Sequence, residues 1–256
     1  MFHVEQCFEN KPRRKDVRMK AFLDKNNITG LSLEQQLLLE DYANAVHDEN
    51  SRYNLTGHRA IEEIMEDLIC RSISPLRNLN VPRGTFAADL GSGSGVPGVP
   101  LAIVFPDVKW TLFDSNHKKM AFVNSFAKEH SLGNVKAVAG RIEELAHDNN
   151  YRLNFEFIVS RAMAGVYICA ELGTALLKKN GSLYLYSVIK QDDVPEQVRN
   201  HCADCGLAFA KTHERETLGI AEDGLLFVKR MNSKDGFPRR FPVIKRAAAK
   251  AENPST

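Results

Sequence analysis

Apolar positions in the first 80 residues recur at helical spacing. "VRMKAFLDKNN" and "LEQQLLLEDYANAVHDENSRYN" each gather their hydrophobic side chains on one face, and "AIEEIMEDLICRSISPL" repeats the pattern until Pro75. Ser32 and Gln35 have the spacing of a capping box for the second helix, and Gly30 punctuates the end of the first. "NLTGHR" breaks the run before the third. From Phe86 onward the period changes. "TFAADLG", "KWTLFD", "VKAVAG" and "FEFIVSR" are short apolar stretches rich in aromatic or β-branched residues, which predicts four strands with helices crossing between them. A helix over "YICAELGTALLKKNG", a strand over "SLYLYSVI" and a helix around 192–203 follow. "LAFAKTHERETL" and "GLLFVKR" then read as two strands joined by a short glycine-containing connection, a closing hairpin. The pattern predicts an α/β fold: a doubly wound, Rossmann-like, mostly parallel sheet with an antiparallel C-terminal hairpin, preceded by a small helical region. Three segments are expected: a helical cap over 1–80, a ligand-binding α/β domain over 81–232 and a basic, flexible tail over 233–256.

"DLGSGSGVPGVPL" is the stretch with the strongest chemical content. Gly91, Gly93 and Gly95 fall at alternate positions where the first strand turns into a helix, and glycine there permits positive φ and close approach of backbone to a ligand. "GSGVPG" also satisfies the dinucleotide pattern, so a nicotinamide or flavin cofactor and a nucleoside such as S-adenosylmethionine both fit the loop. Asp114 ends the second strand about 20 residues after the glycines, where a carboxylate accepts hydrogen bonds from ribose hydroxyls or caps the following helix. After the third strand "GRIEEL" offers Arg141, Ile142 and Glu143, an aliphatic surface and polar groups for an adenine or simply a solvated helix start. Asp89, two positions before the first glycine, suits a cationic sulfonium or amino acid portion and would repel a diphosphate. That favours S-adenosylmethionine, and a parallel sheet closing on an antiparallel hairpin fits a class I methyltransferase better than a dehydrogenase.

Composition narrows the picture only modestly. The 256 residues are 43% hydrophobic and 26% charged, enough for one good core and a smaller appendage. A net charge of +2, from 34 basic and 32 acidic side chains, leaves any attraction to nucleic acid to local patches. There is no apolar run long enough to span a bilayer and no signal-peptide layout in "MFHVEQCFENKPRRK", so a cytoplasmic protein with no membrane partner is expected. Five cysteines agree with a reducing compartment. Cys202 and Cys205 have C-x-x-C spacing but lack a second ligand pair, so they read as a buried helix end closed by Gly206, and no metal is expected.

"NLTGHR", "DLGSGSGVPGVPLAI", "LFDSNHKKMAFV", "GRIEEL" and "IVSRAMA", in that order and at those separations, resemble the RsmG (GidB) family, bacterial methyltransferases acting on nitrogen-7 of a guanine in small-subunit ribosomal RNA. The likeness spans about residues 30–230 and rests most on the paired G-V-P block, the D-S-x-x-K-K block and V-S-R-A. It implies S-adenosylmethionine on Gly91, Val96, Ile142, Glu143 and Arg161, with Asp114 near the ribose. Ser94 and Val96 vary the usual loop chemistry, and the segment after residue 207 aligns less readily.

The residues after the fourth strand bear on the reaction independently. "SRAMAG" lacks the acidic or amide residue followed by Pro-Pro-aromatic that suits exocyclic amino groups, and no Pro-Cys pair suits attack on a pyrimidine. Cys169 falls inside a helix, where packing outweighs catalysis. A ring nitrogen with a free lone pair needs neither device, only positioning. Arg161 is the candidate catalytic residue, supporting cofactor and RNA, or else an ion-pair partner at the sheet end. Asn54, Arg59 and Lys118 are candidate RNA contacts, with helix capping or a solvated face as their alternatives. Arg239 and Arg240, interleaved with Phe237 and Phe241, suit phosphate contact and base stacking by an extended tail. The expected protein is a monomeric enzyme whose partner is small-subunit ribosomal RNA or a ribosomal particle. A nicotinamide-dependent oxidoreductase and a non-catalytic RNA-binding assembly factor are the readings from other classes.

Overall fold

The computed structural model describes residues 18–252 apart from residue 222; the remainder of the expected N-terminal and C-terminal segments lies outside the described residues. The helical region contains α1 (Arg18–Lys25) and α2 (Leu33–Tyr53), followed by a third rod made of α3 (Ile61–Glu63), a π-helical stretch Ile64–Cys70, α4 (Arg71–Ile73) and a 3-10 turn Ser74–Leu76. The capping box forms as the spacing requires. The Ser32 side chain accepts from the Gln35 amide at 3.2 Å and the Gln35 side chain accepts from the Ser32 amide at 3.0 Å.

The α/β region runs β1 (Phe86–Leu90), α5 (Gly98–Val104), β2 (Lys109–Asp114), α6 (His117–Glu129), β3 (Val135–Ala139), α7 (Ile142–Leu145), β4 (Phe155–Arg161), α8 (Val166–Leu176), β5 (Leu177–Tyr186), α9 (Glu196–Asp204), β6 (Leu207–Phe209), α10 (Thr212–Leu218), β7 (Leu225–Lys229) and α11 (Phe241–Glu252). The strands form one sheet in the order β3-β2-β1-β4-β5-β7-β6, parallel except that β7 runs antiparallel to both of its neighbours. This is the expected doubly wound, Rossmann-like, mostly parallel sheet with an antiparallel C-terminal edge. The central strands are largely apolar because each is covered on both faces; Asp89 in β1 and Ser160 and Arg161 in β4 lie near their carboxyl ends. One core, around Tyr42, Ile64, Leu112 and Val123, joins the N-terminal helices to the sheet; the other, around Phe113, Ile158, Leu172 and Ile244, lies under the helices of the opposite face. Strand order reverses between β1 and β4, so the crevice for a ligand opens at the carboxyl end of β1.

Three local expectations are corrected. The predicted strand "LAFAKTHERETL" contributes only Leu207–Phe209 to the sheet, and α10 replaces the tight hairpin connection, although β6 and β7 pair antiparallel as expected. The Lys211 amide donates to Glu214 at 2.9 Å at the start of α10, and Gly219 at φ 65 stops it. The helix expected to run through "LLKKNG" ends at Leu176: Leu177 pairs with Phe155 and Ser182 with Phe157, so residues 178–181 bulge out of β5.

The third correction concerns the tail, which is neither extended nor free over the described residues. Helix α11 buries Ile244, Ala248 and Ala251 against α8 and α9. Arg239 donates to Glu171 from its backbone amide at 2.8 Å, from Nε at 2.9 Å and from Nη2 at 2.6 Å, and the Glu171 side chain is fully buried. A buried carboxylate requires such a partner, and it anchors the segment.

Candidate active site

Sequence spacing predicts a glycine loop after β1, and the structure shows what glycine permits there. Gly91, Gly93 and Gly95 have φ of 71, 56 and 97, all in the left-handed region. The loop is tied down at several points. The amides of Gly91 and Ser92 donate to the Phe113 carbonyl at 2.8 and 3.0 Å, and the Gly93 amide donates to Asp114 Oδ2 at 2.9 Å. Asp114 Oδ1 accepts from the Asn116 amide at 2.8 Å, while the Asn116 side chain caps α6. Asp114 therefore does not cap α6, a role taken by Asn116; it accepts from the Asn116 and Gly93 amides and so orients the loop on which a cofactor would lie.

Asp89 lies beneath that loop and is fully buried. Its Oδ2 accepts from the Gly98 amide at 2.8 Å at the start of α5, whereas Oδ1 has no hydrogen-bond partner. Burial raises its pKa to about 8, against the pull of the Gly98 hydrogen bond; Asp114 raises it further and Arg161 lowers it. An orphaned, buried carboxyl oxygen under a glycine cradle is what a cationic ligand would complete. A Cβ at Gly93 would meet only Lys119 Nζ, 3.9 Å away, so the loop is open on that side. The residues present therefore fit S-adenosylmethionine.

The other expected cofactor residues are placed unevenly. Val96 and Ile142 are 8% and 7% exposed, so each offers only a sliver of aliphatic surface, and Glu143 is half-buried at the start of α7. Arg161, at the end of β4, is neither free nor in an ion pair across the sheet end. It donates through Nη1 to the Leu68 carbonyl at 3.1 Å and to Ser72 Oγ at 2.9 Å, and through Nη2 to the Asp67 carbonyl. These acceptors belong to the π-helical stretch and α4, so Arg161 bolts the helical region to the sheet. Burial lowers its pKa.

Two residues not singled out from the sequence complete the site. Tyr42 on α2 is fully buried and donates to the Ser94 carbonyl at 2.6 Å. Met163 folds back over the loop: a Cβ at Gly91 would stand 2.4 Å from Met163 Cγ. Met163 lies in the quoted "SRAMAG", but nothing local signals that its side chain reaches β1.

Among the proposed RNA contacts, Arg59 Nη2 donates to Asn54 Oδ1 at 3.1 Å, and Asn54 ends α2 with φ 48. Lys118 is exposed, with Nζ 5.3 Å from the Tyr53 ring centroid. Lys118 reaches the Asp114 end of the loop through Asn116, whose side chain accepts from the Lys118 amide. Arg239 is held on α8 by Glu171, with exposed Arg240 beside it. Among the described residues no group of three or more His, Cys, Asp or Glu side chains is arranged to hold a metal, and no helix is long and apolar enough to cross a membrane. Cys202 and Cys205 are free and buried at the end of α9, and Gly206 follows with φ 74. A cavity of about 390 Å³ lies at the opposite end of the sheet, lined by Arg83, Phe86, Glu156 and Asn180, away from this site.

The sequence model of the family described as rRNA small subunit methyltransferase G matches residues 35–217, from α2 through the glycine loop and Arg161 to α10. The chain belongs to this family. It is 31% identical over 87% of its length to the ribosomal RNA small subunit methyltransferase G of Mycoplasma capricolum, and the alignment covers 95% of that relative. It is 28% identical over 89% of its length to the protein of the same name in Mycoplasmoides gallisepticum, again covering 95% of the relative. Among solved structures, the precorrin-6y C5,15-methyltransferase of Geobacter metallireducens is similar at a TM-score of 0.43 and 17% identity, over 63% of this chain and 88% of that one. The matched range takes in the glycine loop, Asp114, Arg161 and Tyr42, the α2 residue that holds the loop.

Proposed function

We propose that the chain transfers a methyl group from S-adenosylmethionine to nitrogen-7 of a guanine in small-subunit ribosomal RNA, acting as a cytoplasmic monomer. The observation that carries the reading is the orphaned Asp89 Oδ1, buried under three positive-φ glycines at the point where strand order reverses. The names of the relatives supply the RNA class. Asp89, Gly91, Gly93, Gly95 and Val96 would hold the cofactor, with Ile142 and Glu143 at its adenine and Asp114 at its ribose.

Bound there, S-adenosylmethionine supplies an electrophilic methyl group on a positively charged sulfur. Asp89, ionised as that cation binds, would contribute a buried negative charge, worth more in an enclosed site than in water. Guanine nitrogen-7 carries a lone pair and no proton, so no side chain need remove one. The segment after β4 is consistent: Arg161, Ala162 and Met163 present no carboxylate or amide to the site, and the Arg161 guanidinium is occupied by the helical region. Catalysis then rests on holding the acceptor in line with the methyl, a positioning effect. Arg161 serves by fixing the helical wall of the cleft against the sheet.

The direct test is transfer of labelled methyl from S-adenosylmethionine to naked small-subunit RNA and to the ribosomal particle, followed by mapping of the modified base. Labelled 7-methylguanine supports the proposal. Cofactor binding without transfer to either substrate would leave an RNA-binding assembly factor instead.

A further inference from the structure

Tyr53 is an exposed aromatic ring at the rim of the site, with no role in the core. It is the last residue of α2 and its side chain is 52% exposed, whereas Tyr42, three turns earlier on the same helix, is fully buried. Helix geometry does not require a tyrosine at an exposed C-terminal position, where a polar residue would serve better.

Its surroundings are built. Asn50, one turn before it, donates from Nδ2 to the His58 carbonyl at 2.8 Å and accepts at Oδ1 from the Thr56 amide at 2.9 Å, fastening the 54–59 segment to the end of α2. Asn54 and Arg59, joined by their 3.1 Å hydrogen bond, lie next in the chain. Across from them Lys118 Nζ stands 5.3 Å from the Tyr53 ring centroid, and Lys118 follows the Asn116 cap that leads back to Asp114 and Gly93. Lys119 Nζ lies on the open side of Gly93. An exposed ring with an ammonium over one face is thus followed in the chain by the hydrogen-bonded Asn54 amide and Arg59 guanidinium.

This combination matches single-stranded RNA, whose unstacked bases lie on aromatic faces while cations follow the phosphates. It does not match duplex RNA, which offers no free base face. Tyr53 connects to the loop through Lys118, whose amide donates to the Asn116 side chain, and through the Asn116 amide, which donates to Asp114. We propose that Tyr53 is a stacking platform for an unpaired base immediately flanking the target guanine, with Lys118 and Arg59 on the adjoining phosphates. The proposal rests on the ribosomal RNA reading given above and adds a residue that reads strand structure.

The test uses two RNA fragments containing the mapped target guanine, one with 2-aminopurine on its 5′ side and one with it on its 3′ side. The full chain should quench one of the two probes by stacking. Tyr53→Leu should abolish that quench and weaken RNA binding about tenfold, with the slope of affinity against salt and calorimetric cofactor affinity both unchanged. Tyr53→Phe should retain the quench, because stacking does not need the hydroxyl. Lys118→Gln should instead flatten the salt slope, since it removes a phosphate contact. Wild-type quench and affinity in Tyr53→Leu, or quenching of neither probe by the wild type, overturns the proposal. So does a loss of RNA affinity accompanied by a fall in cofactor affinity or melting temperature, which would make Tyr53 structural. Failure of the wild-type protein to bind or methylate the RNA at all would instead defeat the reading on which the proposal rests.

Discussion

The hydroxyl of Tyr42 donates a 2.6 Å hydrogen bond to the carbonyl of Ser94, joining the second helix of the N-terminal region to the middle of the glycine loop. The ring is packed edge-on against Phe126, 5.0 Å between centroids, so the bond is made out of reach of water. Tyr42→Phe keeps the ring and leaves the carbonyl without that partner. The variant should lose about 1–3 kcal/mol of stability in urea unfolding, the range for a buried group left unsatisfied. Cofactor affinity should fall several-fold in calorimetry as the loop loosens. Unchanged values for both would show that the loop is held by the sheet alone.

Asp89 gives a pH signature. Its pKa of about 8 keeps the carboxyl largely protonated at pH 7, while a cationic ligand favours the carboxylate. Cofactor binding at pH 7 should therefore release a proton from Asp89, and affinity should rise with pH and level off above about 8. Titration calorimetry in buffers of different ionisation enthalpy should show this release in the wild type and its loss in Asp89→Asn. The linkage to stability has a definite sign. The native state retains a proton that the unfolded state gives up near 3.8, so the contribution is full below that value and is lost as pH rises through about 8. Identical proton release by wild type and variant would place the cation elsewhere.

Arg161 is predicted to act through the fold. Its guanidinium reaches the Leu68 carbonyl and Ser72 Oγ through Nη1 and the Asp67 carbonyl through Nη2, a fork that an ammonium cannot reproduce. Arg161→Met should cost about 2–4 kcal/mol in denaturant unfolding, because charged donors to buried acceptors are the stronger class of hydrogen bond. Arg161→Lys should recover only part of it. A variant of wild-type stability that has lost RNA binding alone would restore the direct-contact role.

What the sequence discloses, and what it withholds, follows from the range of each interaction. Ser32 with Gln35, the three glycines, and the change from helical to strand period are local, and each was legible because its physical cause lies within a few residues. The Tyr42 bond to Ser94 and the Arg239 bonds to Glu171 join positions 52 and 68 residues apart, and no periodicity marks them. Helix α10 was hidden because "THERETL" has no apolar stripe; none of its residues is buried. Helix α11 did carry a signal. Phe241, Ile244, Ala248 and Ala251 recur at intervals of three and four, a pattern masked by the interleaved arginines and lysines that suggested an RNA-binding tail. Asp89 could be named as acidic but not as orphaned, which depends on Gly98 meeting only one of its oxygens.

The C-terminal segment should behave as part of the folded unit. Arg239→Met removes the guanidinium from the fully buried Glu171, which keeps only the residue-239 amide and the His201 ring beside it, and should destabilise the protein by about 3–5 kcal/mol, the usual cost of breaking a buried pair. Thermal unfolding with and without the substitution checks this. The salt dependence of RNA binding by any folded Arg239→Met protein should match wild type, since this guanidinium is engaged by Glu171. A stable variant with a flattened salt slope would return Arg239 to the RNA interface.

The identity of the accepting atom is the centre of the account, and one atomic replacement tests it. Small-subunit RNA is prepared with the mapped target guanine replaced by 7-deazaguanine, in which carbon stands at the nitrogen-7 position and the rest of the strand is identical. Under single-turnover conditions with saturating S-adenosylmethionine, RNA binding should persist at near wild-type affinity and methyl transfer to that nucleotide should vanish. Continued methylation of the 7-deazaguanine would contradict the account, because the methyl would then be going to a different atom and the absence of a base after β4 would need another explanation.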